Sequence, residues 1–130
     1  MAFTDEATIR THSGWDNVDL VPSGLIAQRI ADAHETFLSA LDPAHAESED
    51  ALLKLAETEL ATAYLLRSLA VESGFEDRDI RTGTLTLRAG GRAKTLIELA
   101  DSEENRAWSH ARPFLKKGLS RIPLKLVTSD

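Results

Sequence analysis

The stretch from Glu49 to Ser73 constrains this chain more than any other feature. Leu52, Leu53, Leu55, Ala56, Leu60, Ala63, Tyr64, Leu66, Leu69 and Ala70 recur at helical spacing, but they spread over most of the helix circumference rather than along one stripe. A helix that is apolar nearly all round has to be covered on more than one side. The segment is therefore read as a central helix, with Ser48 as its N-cap and Gly74 as its C-terminal stop. The rest of the chain must supply the cover.

Two further segments have the right pattern. Ile26, Ile30, Ala33, Phe37 and Leu41 follow the 3.6-residue period after Ser23, a candidate N-cap, and Asp42-Pro43 ends that run because a residue before proline avoids the helical region. Ala93, Leu96, Ile97, Ala100, Ala107, Trp108 and Ala111 do the same from Arg92 to Arg112, with Pro113 as the stop. The acidic run Asp101 to Glu104 inside it reads as a solvated face or a short kink. Between the last two helices the pattern breaks. Thr84-Leu85-Thr86-Leu87 alternates polar and apolar between Gly83 and Gly90-Gly91, which suits a short strand or an extended arm.

The fold class expected is thus mainly α: a small antiparallel helical bundle with a short β-type extended loop and extended N- and C-terminal arms. Residues 1–22 read as an irregular arm, residues 23–117 as the helical domain, and residues 118–130 as an extended tail in which Pro123 forbids a helix. At 130 residues with 42% hydrophobic content, one such domain can bury a core without staples. The chain has no cysteine, so neither a disulfide framework nor a thiolate metal site is available. No apolar run approaches the ~20 residues of a spanning helix, and the acidic start lacks the pattern of a secretory signal.

Charge narrows the function classes. The net charge of −6 disfavours a general nucleic-acid binder. Its distribution is uneven: residues 1–75 hold four Lys/Arg against 13 Asp/Glu, and residues 76–130 hold 11 against eight. Such an imbalance suits a subunit whose acidic part meets the basic part of a neighbour, or simply two differently charged solvated surfaces.

Nothing in the sequence points to chemistry. His12, His34, His45 and His110 show no metal-ligand spacing and read as surface or helix-edge residues. There is no nucleophile motif, and the near neighbours Glu57 and Glu59 read as solvated acids. Arg88-Ala89-Gly90-Gly91-Arg92 reads as a turn opening a helix, with an anion site as the alternative. The expectation is a non-enzyme with no cofactor and no metal. Candidate subunit or partner contacts are Thr82, Leu85, Leu87, Arg88 and Arg92 in the loop, and Arg121, Leu124, Lys125 and Leu126 in the apolar, basic tail, which suits strand addition to a partner.

The order of elements resembles the head-to-tail connector proteins of tailed bacteriophages, the head-completion or neck adaptor family. Leu25 to His34 and on to Leu41 looks like that family's first helix, Leu52 to Ala70 like its second, Ile80 to Leu87 like its glycine-centred extended segment, and Ala107-Trp108 through Pro113-Phe114-Leu115 like its closing helix. The resemblance implies a ring in the virion neck, usually dodecameric, that binds the portal protein and the next neck or tail protein and lets DNA pass as cargo, with no membrane partner. The alternative expectation is a stand-alone helical adaptor or regulator that binds one partner protein.

Overall fold

A computed structural model describes residues 2–15, 21–79 and 85–116; of residues 72–79 and 85–92 it describes the backbone alone. Among the described residues there are four α-helices: α1 (Glu6–Ser13), α2 (Ser23–Ala40), α3 (Ala51–Asp79) and α4 (Leu85–Ala111). Short 3₁₀ turns at Pro43–His45 and Arg112–Phe114 follow α2 and α4. The bundle expected from the sequence is present. No helix among the described residues is long and apolar enough to cross a membrane.

α3 is the central element, and α4 folds back antiparallel along one of its faces. Arg67 of α3 bonds to Asp101 of α4, while Glu59, two turns earlier, bonds to His110, two turns later. The seam between them is lined by small residues. Ala56, Ala63 and Ala70 on α3 are buried at seven-residue spacing, as are Ala100 and Ala107 on α4. A methyl side chain at every second turn lets two helix backbones approach closely while the larger residues pack to either side.

α2 covers one flank of α3 through Ile26, Ile30, Ala33 and Phe37, all on one stripe and all buried. The Phe37 ring meets Trp108 of α4 edge-on at 5.2 Å, so α2 also seals the groove between α3 and α4. α1 covers a further part of α3 with Ile9, 1% exposed. Cover on three sides explains why every residue of α3 from Ala56 to Leu66 except Tyr64 is buried. An isolated antiparallel bridge, Leu41 with Leu115, ties the end of α2 to the chain after α4. The Asp42 N–H donates to the Phe114 carbonyl and the Lys116 N–H to the Ala40 carbonyl, both at 2.9 Å.

Several local expectations are overturned. Residues 6–13 are helical, and they belong to the bundle rather than to an irregular arm. Asp5 caps α1 by accepting from the Thr8 N–H at 2.8 Å, and Gly14 ends it in the left-handed conformation at φ 78°. The guanidinium of Arg10 then gathers the chain after α1, donating to the carbonyls of Trp15 (3.0 Å) and Val21 (2.8 Å). Ser23 does not cap α2. Pro22 holds the cap position, and the Ser23 hydroxyl donates to Glu6 at 2.7 Å. Ser48 does not cap α3 either: Asp50 accepts from the Leu52 N–H at 2.8 Å, and Ser48 accepts from the Asp50 N–H.

The largest difference lies at the hairpin end. α3 runs through Gly74 to Asp79, and Leu85, Thr86 and Leu87 start α4 rather than forming an extended segment. Arg88 to Arg92 lies inside that helix instead of opening it. A lone extended segment leaves its N–H and C=O groups without partners, whereas helix satisfies them within the segment. Gly90-Gly91 weakens this turn by about 1 kcal/mol per glycine relative to alanine, less than the backbone hydrogen bonds gained. No kink interrupts Asp101 to Glu104.

Candidate functional site

Glu57 is the most unusual group in the fold. It lies on the flank of α3 that meets α2 and the N-terminal residues, and its side chain is fully buried. One carboxylate oxygen accepts from the backbone N–H of Phe3 (2.7 Å) and of Thr4 (2.9 Å). The other meets Nδ1 of His34 on α2 at 2.8 Å, which places the imidazole proton on that nitrogen. Phe3 packs edge-on against the same ring at 5.0 Å. Thr4 and Thr58 share a hydroxyl hydrogen bond of 2.7 Å one residue further on. A single carboxylate therefore joins three segments of the chain, and its charge is met by three donors, which is what a buried carboxylate requires.

Glu59 faces the α4 side. One oxygen meets Nδ1 of His110 at 2.7 Å, and the other lies 3.6 Å from Nε of Arg106. Arg106 also pairs with Glu103, and Glu103 meets Nε2 of His12 on α1 at 2.7 Å. Thus three histidines each contact a glutamate, and each pair bridges different helices: His34–Glu57 joins α2 to α3, His110–Glu59 joins α4 to α3, and His12–Glu103 joins α1 to α4. On the α2 side, Arg67 bonds to Asp101 (3.0 Å) and Glu104 (2.6 Å). Desolvation opposes its charge, but these two carboxylates outweigh that and hold its pKa above the ordinary value. The Tyr64 hydroxyl, pushed up chiefly by burial, donates to Thr36 at 3.2 Å.

The expectation that Glu57 and Glu59 are solvated is therefore corrected. Two residues apart on a helix, they point to different flanks, and here both flanks are covered. His34 likewise lies between helices, with its side chain 12% exposed. The signal that could have found these residues was the placement of Glu57, Thr58, Glu59 and Thr62 in the stretch whose apolar residues surround most of the helix.

Three grooves border this layer. One, of about 610 Å³, runs between the N-terminal residues, α2 and the segment 46–50, with Phe3, His34, Leu38, Glu47, Glu49 and Lys54 among its walls. A second, of about 390 Å³, shares Ala2, His34 and Leu38 with it and continues along α2 past Ala27, Ile30 and Ala31. A third, of about 470 Å³, lies between α1 and α3 and includes Leu55 and Lys54. His34 and Ser48 both face the first groove, yet they are not hydrogen-bonded, and the Ser48 oxygen is occupied by the Asp50 N–H. Among the described residues no group of three or more His, Asp or Glu side chains is placed to hold a metal ion. What this arrangement does chemically is fasten helices together.

Of the candidate contact residues, Leu85, Leu87, Arg88 and Arg92 fall in the first two turns of α4. Thr82, Arg121, Leu124, Lys125 and Leu126 lie outside the described residues, as do Thr84 of the expected strand and the tail 118–130. Exposed apolar side chains are found among the residues whose side chains are described. Val71 is 61% exposed and Ile97 47%. Val71 stands one turn beyond Arg67, and Ile97 one turn before Asp101, so the two form the next rung of the α3–α4 ladder after that ion pair. Leu99, 49% exposed, lies on the other side of α4.

Comparison of the chain with family models, with curated proteins and with solved structures finds no match in any of the three.

Proposed function

We propose that this protein is a structural subunit that works by assembling with copies of itself and with neighbouring proteins. In the reading favoured by the order of its elements, it is a connector ring in the neck of a tailed phage or phage-like particle, between portal and tail, with DNA passing through. The observation that carries the assembly reading is the Val71–Ile97 rung. Val71 on α3 and Ile97 on α4 are exposed apolar side chains that the antiparallel register set by Arg67 and Asp101 brings to the same level. Exposed apolar side chains grouped on a rigid element suit a protein–protein contact.

A ring requires a heterologous contact, in which one surface meets a different one. Along the sequence the first 75 residues are acidic and the remainder basic, an imbalance that suits such a contact. The apolar groove between α1 and α3 favours a second reading, a monomeric adaptor that holds one partner helix there.

The test is native mass measurement of the purified chain, with electron microscopy of purified protein and of particles that contain it. Rings, or a ring seated between portal and tail, are the expected result. Val71→Asp with Ile97→Asp should abolish assembly and leave the far-UV circular dichroism unchanged. A wild-type chain that stays monomeric and never joins a particle would refute the connector reading.

A further inference from the structure

We propose that the two connected grooves along α2 are the docking site of this chain's own C-terminal segment, residues 117–130, bound in cis. This goes beyond the assembly reading and does not depend on it.

The groove has two kinds of wall. Ala27, Ile30, Ala31 and the 42%-exposed Leu38 give an apolar track along α2. Glu47, Glu49 and Asp50 then give an acidic bank that Lys54 only partly offsets. The tail has the complementary composition. Ile122, Leu124 and Leu126 alternate with Arg121, Pro123 and Lys125, so an extended backbone puts the three apolar residues on one side and both cations on the other. Pro123 suits an extended, unpaired segment.

Position and length agree. The described chain ends beside the groove. Lys116 is bonded through its N–H to Ala40 and through Nζ to the Ser39 carbonyl, one residue from Leu38. Phe114 packs edge-on against His45 at 5.2 Å, next to Ala46 of the groove wall. Residues 117–120 can span about 13 Å and residues 121–127 about 23 Å when extended, against about 17 Å of α2 from Ala27 to Leu38. A tether this short gives the tail an effective concentration in the millimolar range at its own groove, well above that of a second copy at ordinary concentrations.

Since the protein has no cysteine, a disulfide can be placed without background. The full-length variant Leu38→Cys/Leu124→Cys is oxidised at low protein concentration and compared with Ser109→Cys/Leu124→Cys. Ser109 is an exposed residue of α4, two turns before the same chain end. An intramolecular disulfide that forms at least tenfold faster in the first variant is the expected result. Adding Glu47→Lys and Glu49→Lys should slow it several-fold, as should high salt. Equal rates in the two pairs would overturn the proposal. Predominantly disulfide-linked dimers would overturn it in favour of a second copy, and a rate indifferent to the charge reversals would overturn the charge complementarity on which it rests.

Discussion

Replacing Glu57 by alanine tests whether one buried carboxylate holds three segments together. The side chain is fully buried and receives the Phe3 N–H, the Thr4 N–H and His34 Nδ1 at 2.7, 2.9 and 2.8 Å. Hydrogen bonds to a charged group contribute about 1.5–3 kcal/mol each, but three that share one acceptor do not add independently. Removing the acceptor also strands the Thr4 N–H in a residue only 6% exposed, at a cost of about 1–3 kcal/mol. The expected loss is about 3–5 kcal/mol, a large part of the ~5–15 kcal/mol that holds a typical domain together. For a chain of this size that lowers Tm by roughly 10–15 °C. Glu57→Gln keeps the shape and one acceptor oxygen, and its amide can donate to the other imidazole tautomer, so it should lose only about 1–2 kcal/mol. Urea unfolding followed by circular dichroism measures both. Amide exchange at Phe3 and Thr4 should accelerate in Glu57→Ala well before exchange within α3. A loss under about 1 kcal/mol would refute the reasoning, as would a double-mutant cycle with His34→Ala that is additive within about 0.5 kcal/mol.

Ala100→Leu puts an isobutyl group into the alanine-lined seam between α3 and α4; overpacking should cost about 1–3 kcal/mol by urea unfolding, and Ala63→Leu should do the same. Gly14→Ala meets no atom within 4 Å but forces a side chain into a left-handed conformation, so calorimetry should show a loss of about 1 kcal/mol, smaller for Gly14→Asn. The Asp5 carboxyl is held below its ordinary value of 3.8 by the Thr8 N–H it caps, and Glu6 is lowered by Ser23 and then Arg10. Both contributions are present above the ordinary carboxylate values and are lost as pH falls through the lower folded ones. Asp5→Ala should therefore destabilise α1 at neutral pH and flatten the loss of stability below about pH 4, read by denaturation across an acid series.

Patterning within segments carried most of the helical architecture. The wide apolar belt from Leu52 to Ala70 required cover on several sides, and α1, α2 and α4 supply it. The stripe Ile26–Ile30–Ala33–Phe37 and the proline after Asp42 bounded α2, because period and chain stiffness are local properties. What escaped local reading was of two kinds. α1 is short, and its cap depends on one aspartate in a segment with few apolar residues, so its stability comes from Ile9 packing on α3 and from Arg10 gathering the following carbonyls. Leu85 to Leu87 carries strand-like residues, yet with no partner strand the backbone satisfies itself as helix.

The interior glutamates show the division most clearly. In sequence, Glu57 and Glu59 are two acids in a helix apolar on most sides, and nothing local names the partners that would let either be buried. Their burial follows from α2 and α4 closing over opposite flanks of α3, and it is tolerable only because Phe3, Thr4 and His34 on one side, and His110 on the other, arrive from distant parts of the chain to bond them. The sequence by itself determined the main bodies of α2, α3 and α4 and which of them must be central. Only the tertiary structure decided which charges lie inside, because the cost of burying a charge is settled by partners tens of residues away.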